Sequence, residues 1–315
     1  MIDGVRGTRV IEGDEAKRYL EIVNTFHNVA KKYEFEYIKI PTLEKEELFK
    51  RSVGEHTDIV TKQMYSFPDK KGRNLVLRPE GTAGIVRHHI EKKYSKTKNY
   101  YYSDQMFRYE RPQKGRYREF HQVGAETLGY KCNSVNEIFS IIQLSNDFLE
   151  SCIPVDSNFT FEVNSIGNNE DRINYNQVLV KYLEDHKDNL SKDSLKRLET
   201  NPLRILDSKN KNDTEILVNA PKLSEYRSDK SKDNYEKIIN MISDAKISYN
   251  ENPLLVRGLD YYNDFTFEIV PNESTGSQDA LGGGGQYDRL SSLLGGKEIN
   301  GFGVAFGIDR IMDLE

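Results

Sequence analysis

Residues 107–126, FRYERPQKGRYREFHQVGAE, gather groups that handle phosphate and carboxylate chemistry. Arg108, Arg111, Lys114, Arg116 and Arg118 crowd into one short run offset only by Glu110, in a chain whose formal net charge is −5. The planar, permanently charged fork of arginine holds phosphate oxygens bidentately, so the run reads as a loop that meets phosphates. Side chains alternate between the faces of a strand. In a hairpin of 107–111 with 117–126, Arg108 and Glu110 therefore share one face, and Gln122, Gly124 and Glu126 share another. Phe107, Tyr109, Val123 and Ala125 are left for a packed core. A register that brings the polar faces together makes a ligand floor of a cation, two carboxylates and an amide. A solvated hairpin blunting a sheet edge would carry similar charges. The sparse charge of the Gln122–Glu126 strand argues for the ligand floor, as does a central glycine, which weakens a strand unless something approaches closely.

The elements that must position these groups are legible from periodicity. Tyr19, Ile22, Val23, Phe26, Val29, Ala30 and Tyr33 keep the spacing of one helix face, predicting a long amphipathic helix from Asp14 to Tyr33. FEYIKIPTLE alternates Phe35, Tyr37 and Ile40 with charges and predicts a strand closed by Pro41. NLVLRPEGTAGIVRHHIEKKY predicts a strand through Leu77, a turn at 79–81 and a helix from Thr82 to Lys92. Thr82 suits an N-cap as well as a ligand contact, while Arg78 and Glu80 still need a reason to sit at a strand end. From about 168 to 247 the composition shifts to Asn, Lys, Asp and Ser with short helical patterns, predicting an inserted helical subdomain. LLVRGLDYYNDFTFEIV then reads as strand-like, ALGGGGQYDRLSSLL as a glycine loop and GFGVAFGIDRIM as a strand, turn and helix. The glycine loop lacks the Lys-Ser/Thr ending of a P-loop, and GFGVAFG has the wrong third spacing for a dinucleotide fingerprint. Close backbone approach to a ligand or to another strand remains the physical reason for so many residues without side chains.

The totals bound the class. A length of 315 residues suggests two domains or one with an insertion. With no apolar run near the roughly 18 residues that cross a bilayer and no apolar leader, the expectation is a soluble, cytoplasmic protein without a membrane partner. Cys132 and Cys152 are too few for a disulfide framework or a thiolate zinc site and read as ordinary buried thiols. The acidic balance argues against non-specific coating of nucleic acid, so any polyanion must meet a local patch.

The strand ending at Pro41, FRYERPQKGRYREF and GFGVAFGIDRI resemble, in order, the three motifs of class II aminoacyl-tRNA synthetases. RPEGT, LVRGLDYY and GGGGQYD resemble the signatures of the histidyl-tRNA synthetase family. The resemblance covers essentially the whole chain. It implies an α+β fold: a six- to seven-stranded antiparallel sheet flanked by helices, with a helical insertion. The expected division is a catalytic core in 1–167 and 248–315, interrupted by an insertion subdomain in 168–247. It also implies a cytoplasmic homodimer with the first motif in the interface. The implied substrates are histidine, ATP with Mg²⁺ on its outer phosphates, and the acceptor end of the histidine tRNA, with no permanently bound metal.

By the same resemblance Arg108 meets the ATP α-phosphate, Glu110 the adenine, and Arg116 and Arg310 the γ-phosphate. Arg257 bridges the histidine carboxylate and the α-phosphate. Its structural alternative is an ion pair with Asp260. Glu80, Thr82 and Gln122 match groups that hold the ammonium, Glu126 and Tyr262 match contacts to the imidazole, and Tyr287 closes that pocket. Arg111 and Gln113 match readers of the tRNA end. Some relatives carry cysteines in the insertion; Ser191, Ser194 and Ser208 stand at what look like those positions. Family members continue into an anticodon-binding domain of roughly 100 residues, which is expected to be missing here, with weak tRNA charging as the consequence. A regulatory subunit of ATP phosphoribosyltransferase, which binds histidine without activating it, is the rival reading. Arg108, Arg116, Arg257 and Arg310 together favour the enzyme.

Overall fold

In the computed structural model, which describes residues 2–131, 134–153, 158–273 and 280–314, helix Gly13–Lys32 turns Ile22, Phe26 and Ala30 to one side and buries them fully. Residues four apart lie one above another on a helix, so they form a single stripe. Asp14 and Glu15 sit in the first turn and Lys31 and Lys32 in the last, as the helix dipole favours. The stripe meets helix Val135–Cys152, where Phe26 packs edge-on against Phe148 at 4.9 Å between centroids, and Phe148 against Phe306 of the sheet at 4.9 Å.

The strands are, in chain order, β1 (Glu36–Tyr37), β2 (Leu43–Lys45), β3 (Ser66–Pro68), β4 (Asn74–Leu77), β5 (Lys98–Phe107), β6 (Glu119–Tyr130), β7 (Phe159–Ser165), β8 (Tyr249–Glu251), β9 (Asn263–Pro271), β10 (Gly282–Gln286) and β11 (Asn300–Gly307). An eight-stranded sheet has the order β1-β5-β6-β11-β10-β9-β7-β8, and a three-stranded sheet the order β2-β4-β3. The interior of the large sheet is antiparallel, as expected. Both edges differ, because β1 runs parallel to β5 and β8 parallel to β7. Tyr101, Val123, Ala125, Phe267, Val304 and Phe306 point to the helix-covered face and build the main core. The alternate residues point to the other face, where the candidate site lies.

Three sequence expectations change. The strand expected through Ile40 stops at Tyr37, because the Ile40 carbonyl accepts from Arg78 Nη1 at 2.6 Å and the chain leaves for the small sheet. The expected glycine loop is strand β10, in the interior of the large sheet. Its glycines serve close strand approach, since a Cβ on Gly284 would lie 1.9 Å from the Gly303 carbonyl oxygen. Strand β9 begins only at Asn263, and residues 254–262 follow an irregular path.

Between β7 and β8 lie helices Asn169–Glu184, Lys192–Thr200, Lys211–Leu217 and Asp229–Asp244, joined by short 3₁₀ turns. The first opens with a reciprocal capping box between Asn168 and Asp171. Ser191, Ser194 and Ser208 all donate their hydroxyls to Asp213 Oδ2, at 2.7, 2.6 and 2.5 Å. Cys152 is buried, which pushes its thiol up to about 11, and Cys132 lies outside the described residues. No helix among the described residues is long and apolar enough to cross a membrane.

Candidate active site

Arg78 explains its own place at the end of β4. Buried to 2% exposure, it donates to the carbonyls of Ile40 and Gln105 (2.7 Å) and pairs with Asp104 at 3.0 Å. A buried guanidinium is tolerable only when its donors are used, and here they fix the turn that follows. The Pro79 carbonyl in that turn accepts from Arg108 Nε at 2.9 Å. The Glu80 carboxylate accepts from the backbone N–H groups of Thr82 at 2.7 Å and Ala83 at 3.0 Å, satisfying the first donors of helix Thr82–Lys92. Thr82 is thus the first helical residue and not the cap. Its hydroxyl donates instead to Glu126 at 2.6 Å.

Register clears the floor of the site. Tyr102, Gly124, Ala305, Gly283 and Glu268 stand side by side across five strands, and Glu126, Gly303 and Gly285 form the neighbouring row. Small residues in the middle of both rows leave room above the sheet. Tyr102 lies across Gly124, where a Cβ would come within 2.5 Å of the ring carbon Cζ. Glu126 lies over Gly303, where a Cβ would come within 1.6 Å of Oε2. Only 1% exposed, Glu126 accepts from the Tyr287 hydroxyl at 2.5 Å as well as from Thr82. Burial pushes its carboxyl up to about 8; those hydrogen bonds oppose the rise and nearby Glu80 adds to it. Tyr261 closes the pocket between Tyr262 and Tyr287, with centroids 4.7 and 5.8 Å away.

Around this pocket stand the arginines. Arg108 lies 5.2 Å from the Phe120 ring centroid. Burial pushes its guanidinium down, against the pull of Glu110 and Glu80. Burial, then Arg116 and Arg108, push Arg310 down, so these cations share one region. Arg310 also donates to the Ala280 carbonyl and supports the tip of the β5–β6 loop, 3.2 Å from where a Cβ on Gly115 would be. Arg116 pairs with Glu110 at 3.4 Å. Arg257 pairs with Glu268 and not with Asp260, its alternative partner in sequence, because it lies over Gly283 of β10, whose neighbour across the sheet is Glu268 of β9. A Cβ on Gly283 would lie 2.7 Å from Arg257 Nη1, so the glycine strand also makes space for this cation. Burial works against the Arg257 charge, but Glu268, Tyr262 and Tyr261 outweigh it and raise the guanidinium.

Among the described residues, buried side-chain atoms without a hydrogen-bond partner include Tyr102 Oη, Gln122 Oε1, Arg116 Nε and Arg257 Nε. Others lie elsewhere, such as Ser52 Oγ and Asn176 Oδ1, but these four face the same site, where a polar ligand could satisfy them. The arrangement can hold a polyanion on guanidinium groups next to a closed carboxylate and phenol pocket that takes N–H donors.

The β5–β6 loop departs from expectation at its base. Strand β5 ends at Phe107, so the alternation stops there, and Tyr109 is 54% exposed instead of core. Arg118 stacks on its ring at 3.8 Å and so serves the loop's own shape. Arg111 and Gln113 are exposed at the tip, where Gln113 and Arg116 exchange backbone hydrogen bonds. Sequence reasoning missed Tyr102, Tyr261 and Glu268. The alternation of β5 opposite Gln122 and Glu126 was the signal that could have found Tyr102.

Comparison with known proteins bears on the family and the fold. A sequence profile described as Histidyl-tRNA synthetase matches residues 7–311. A curated relative from Campylobacter hominis named "Histidine--tRNA ligase" is 44% identical over 317 residues, spanning 100% of this chain and 76% of the relative. Among solved structures, apo histidyl-tRNA synthetase from S. aureus superposes with a TM-score of 0.78 at 32% identity, over 100% of this chain and 73% of the other. A Bacillus halodurans protein titled as an ATP phosphoribosyltransferase regulatory subunit/histidyl-tRNA synthetase shares the fold at a TM-score of 0.71 and 22% identity, over 100% of this chain and 84% of the other.

Proposed function

The chain belongs to the histidyl-tRNA synthetase family, and on that premise we propose that the open face of its large sheet joins histidine to ATP and passes the histidine to tRNA. A histidine carboxylate oxygen attacks the α-phosphorus and the bond to pyrophosphate breaks. A hydroxyl of the terminal adenosine then attacks the adenylate carbonyl and AMP leaves. Arg108 and Arg257 hold the charge that gathers at the α-phosphorus; Arg116 and Arg310 hold the outer phosphates, which carry Mg²⁺ in with the nucleotide; Glu110 contacts the adenine. One preorganised group of this kind is typically worth about 3 to 4 kcal/mol of barrier. Glu80, Thr82 and Gln122 take the ammonium, Glu126, Tyr262 and Tyr287 the imidazole. An apolar isostere of histidine brings no N–H donor to Glu126 and leaves only the Thr82 and Tyr287 hydroxyls to offset its burial, which is the basis of selection. Arg111 and Gln113 at the exposed loop tip meet the tRNA end.

The observation that carries this reading is the gathering of Arg108, Arg116, Arg310 and Arg257 around a glycine-cleared floor that ends in the Glu126 pocket. A subunit that only binds histidine needs the pocket and has no use for the arginines. Tyr37, 47% exposed on the edge strand β1 of the large sheet, supports a homodimer through the first motif. Incubation with histidine tRNA, ATP and labelled histidine tests the function. The expected result is histidine esterified to the terminal adenosine with stoichiometric AMP; histidine bound but never transferred would refute it.

A further inference from the structure

Arg257 and Tyr262 sit on residues 254–262, which form no helix or strand. A cation that acts on one phosphorus must nevertheless be held to a fraction of an ångström. Three side chains of the helical segment between β7 and β8 supply the anchors. Arg204 Nη1 donates to the Arg257 carbonyl at 2.8 Å, Asn201 Nδ2 donates to Asp260 Oδ1 at 2.7 Å, and Arg172 Nη1 donates to the Tyr262 carbonyl. Asn201 and Arg204 flank or lie in the 3₁₀ turn Pro202–Ile205, whose Ile205 is buried in one apolar cluster with Val256, Tyr261 and Tyr262. Gly258 lets Arg204 pass, since a Cβ there would lie 3.3 Å from its Nη1. On the core side the loop is tied by the Asp260 N–H to the Val53 carbonyl at 3.2 Å, with Gly54 leaving room for the Asp260 carboxylate.

We propose that Arg204 and Asn201 are positioning residues for histidine activation, and that docking of the helical segment on the core sets the path of the Arg257 loop. The proposal rests on the adenylate-forming reading above. Contacts that end on carbonyls of Arg257 and Tyr262 hold the backbone itself and leave both side chains free for the substrates. A segment drawn off the core would release both residues together. The helical segment is then a working part of the activation site.

The test pairs a readout that needs no activity with one that does. Deuterium uptake by residues 254–262 is compared in wild type, Arg204→Met and Arg204→Lys, alongside histidine-dependent exchange of labelled pyrophosphate into ATP. Methionine keeps the apolar stem of Arg204 and removes its donors; lysine keeps a donor. In Arg204→Met, uptake in 254–262 should rise by about tenfold in rate while β10 and β11 stay protected. Its kcat for exchange should fall on the order of ten- to a hundredfold, with the KM for ATP within about twofold of wild type. Arg204→Lys should recover part of both. Unchanged uptake in 254–262, or a loss carried by KM alone, overturns the proposal. If Arg204→Met loses protection throughout, Asn201→Ser decides by the same criterion. Wild-type protein whose loop is protected through Arg204 yet catalyses no exchange sinks the adenylate reading and leaves the clamp standing.

Discussion

Glu126→Gln separates the charge of the pocket carboxyl from its shape. In the fold this group is pushed up to about 8 from an ordinary value of 4.5, chiefly by burial. Between those two values the unfolded chain is ionised at Glu126 and the folded chain is not, so raising the pH through this window favours unfolding. Each pH unit costs about 1.4 kcal/mol while the difference persists, and the loss stops above the folded value. Below the unfolded value this contribution to stability is fully present. From pH 5.5 to 8.5 wild type should therefore lose about 3 kcal/mol relative to Glu126→Gln, in which the amide keeps the shape without titrating. Urea unfolding of both proteins at the two pH values, with equal m-values, reads the difference because titrating groups not coupled to Glu126 cancel, leaving Glu126 and its neighbour Glu80. A difference that stays constant within about 0.5 kcal/mol would refute the burial argument. With histidine bound as proposed, its ring N–H donating to the ionised carboxylate, the group should be pulled back down and the wild-type slope should flatten.

Three further outcomes follow from the same geometry. Arg257→Ala should lower kcat for adenylate formation by roughly a hundred- to a thousandfold and change histidine affinity little; an equal loss in both contradicts its role at the developing charge. Gly124→Ala drives a methyl into Tyr102, 2.5 Å from the ring carbon, and should cost about 1 to 3 kcal/mol of stability in urea together with histidine binding measured by calorimetry. Asp213→Ala leaves the hydroxyls of Ser191, Ser194 and Ser208 without their acceptor, and should cost about 2 to 4 kcal/mol and expose residues 185–228 to limited proteolysis, with Asp213→Asn intermediate.

Local signals were read well where one residue's neighbours in sequence are also its neighbours in space. The helix Thr82–Lys92 follows from Pro79 and Gly81 breaking the chain before an apolar run, and the long first helix follows from its stripe. The shared face of Gln122, Gly124 and Glu126 follows from period two alone. What stayed hidden depends on partners far along the chain. Four consecutive glycines read as a loop by composition, and only the register of Gly284 against Val304, beside Gly303, makes them a strand. Tyr102 reads as one more core tyrosine until β6 places it opposite Gly124. Arg257 finds Glu268 through the sheet, eleven residues on. The irregular path of residues 254–262 is tied down by Asn201 and Arg204, among others, which no local pattern could reveal. Arg9 was silent in the sequence, yet it pairs with Asp309 at 2.6 Å, and Asp309 accepts from the His121 N–H at 2.8 Å, tying the N-terminal segment to β6 beside Arg310.

Pyrophosphate exchange tests the central claim most directly, because it needs only histidine, ATP and the arginine-ringed floor, and no tRNA. The account predicts exchange of labelled pyrophosphate into ATP that requires histidine and is absent with other amino acids. Protein that binds histidine in the Glu126 pocket but exchanges no label above background would contradict it.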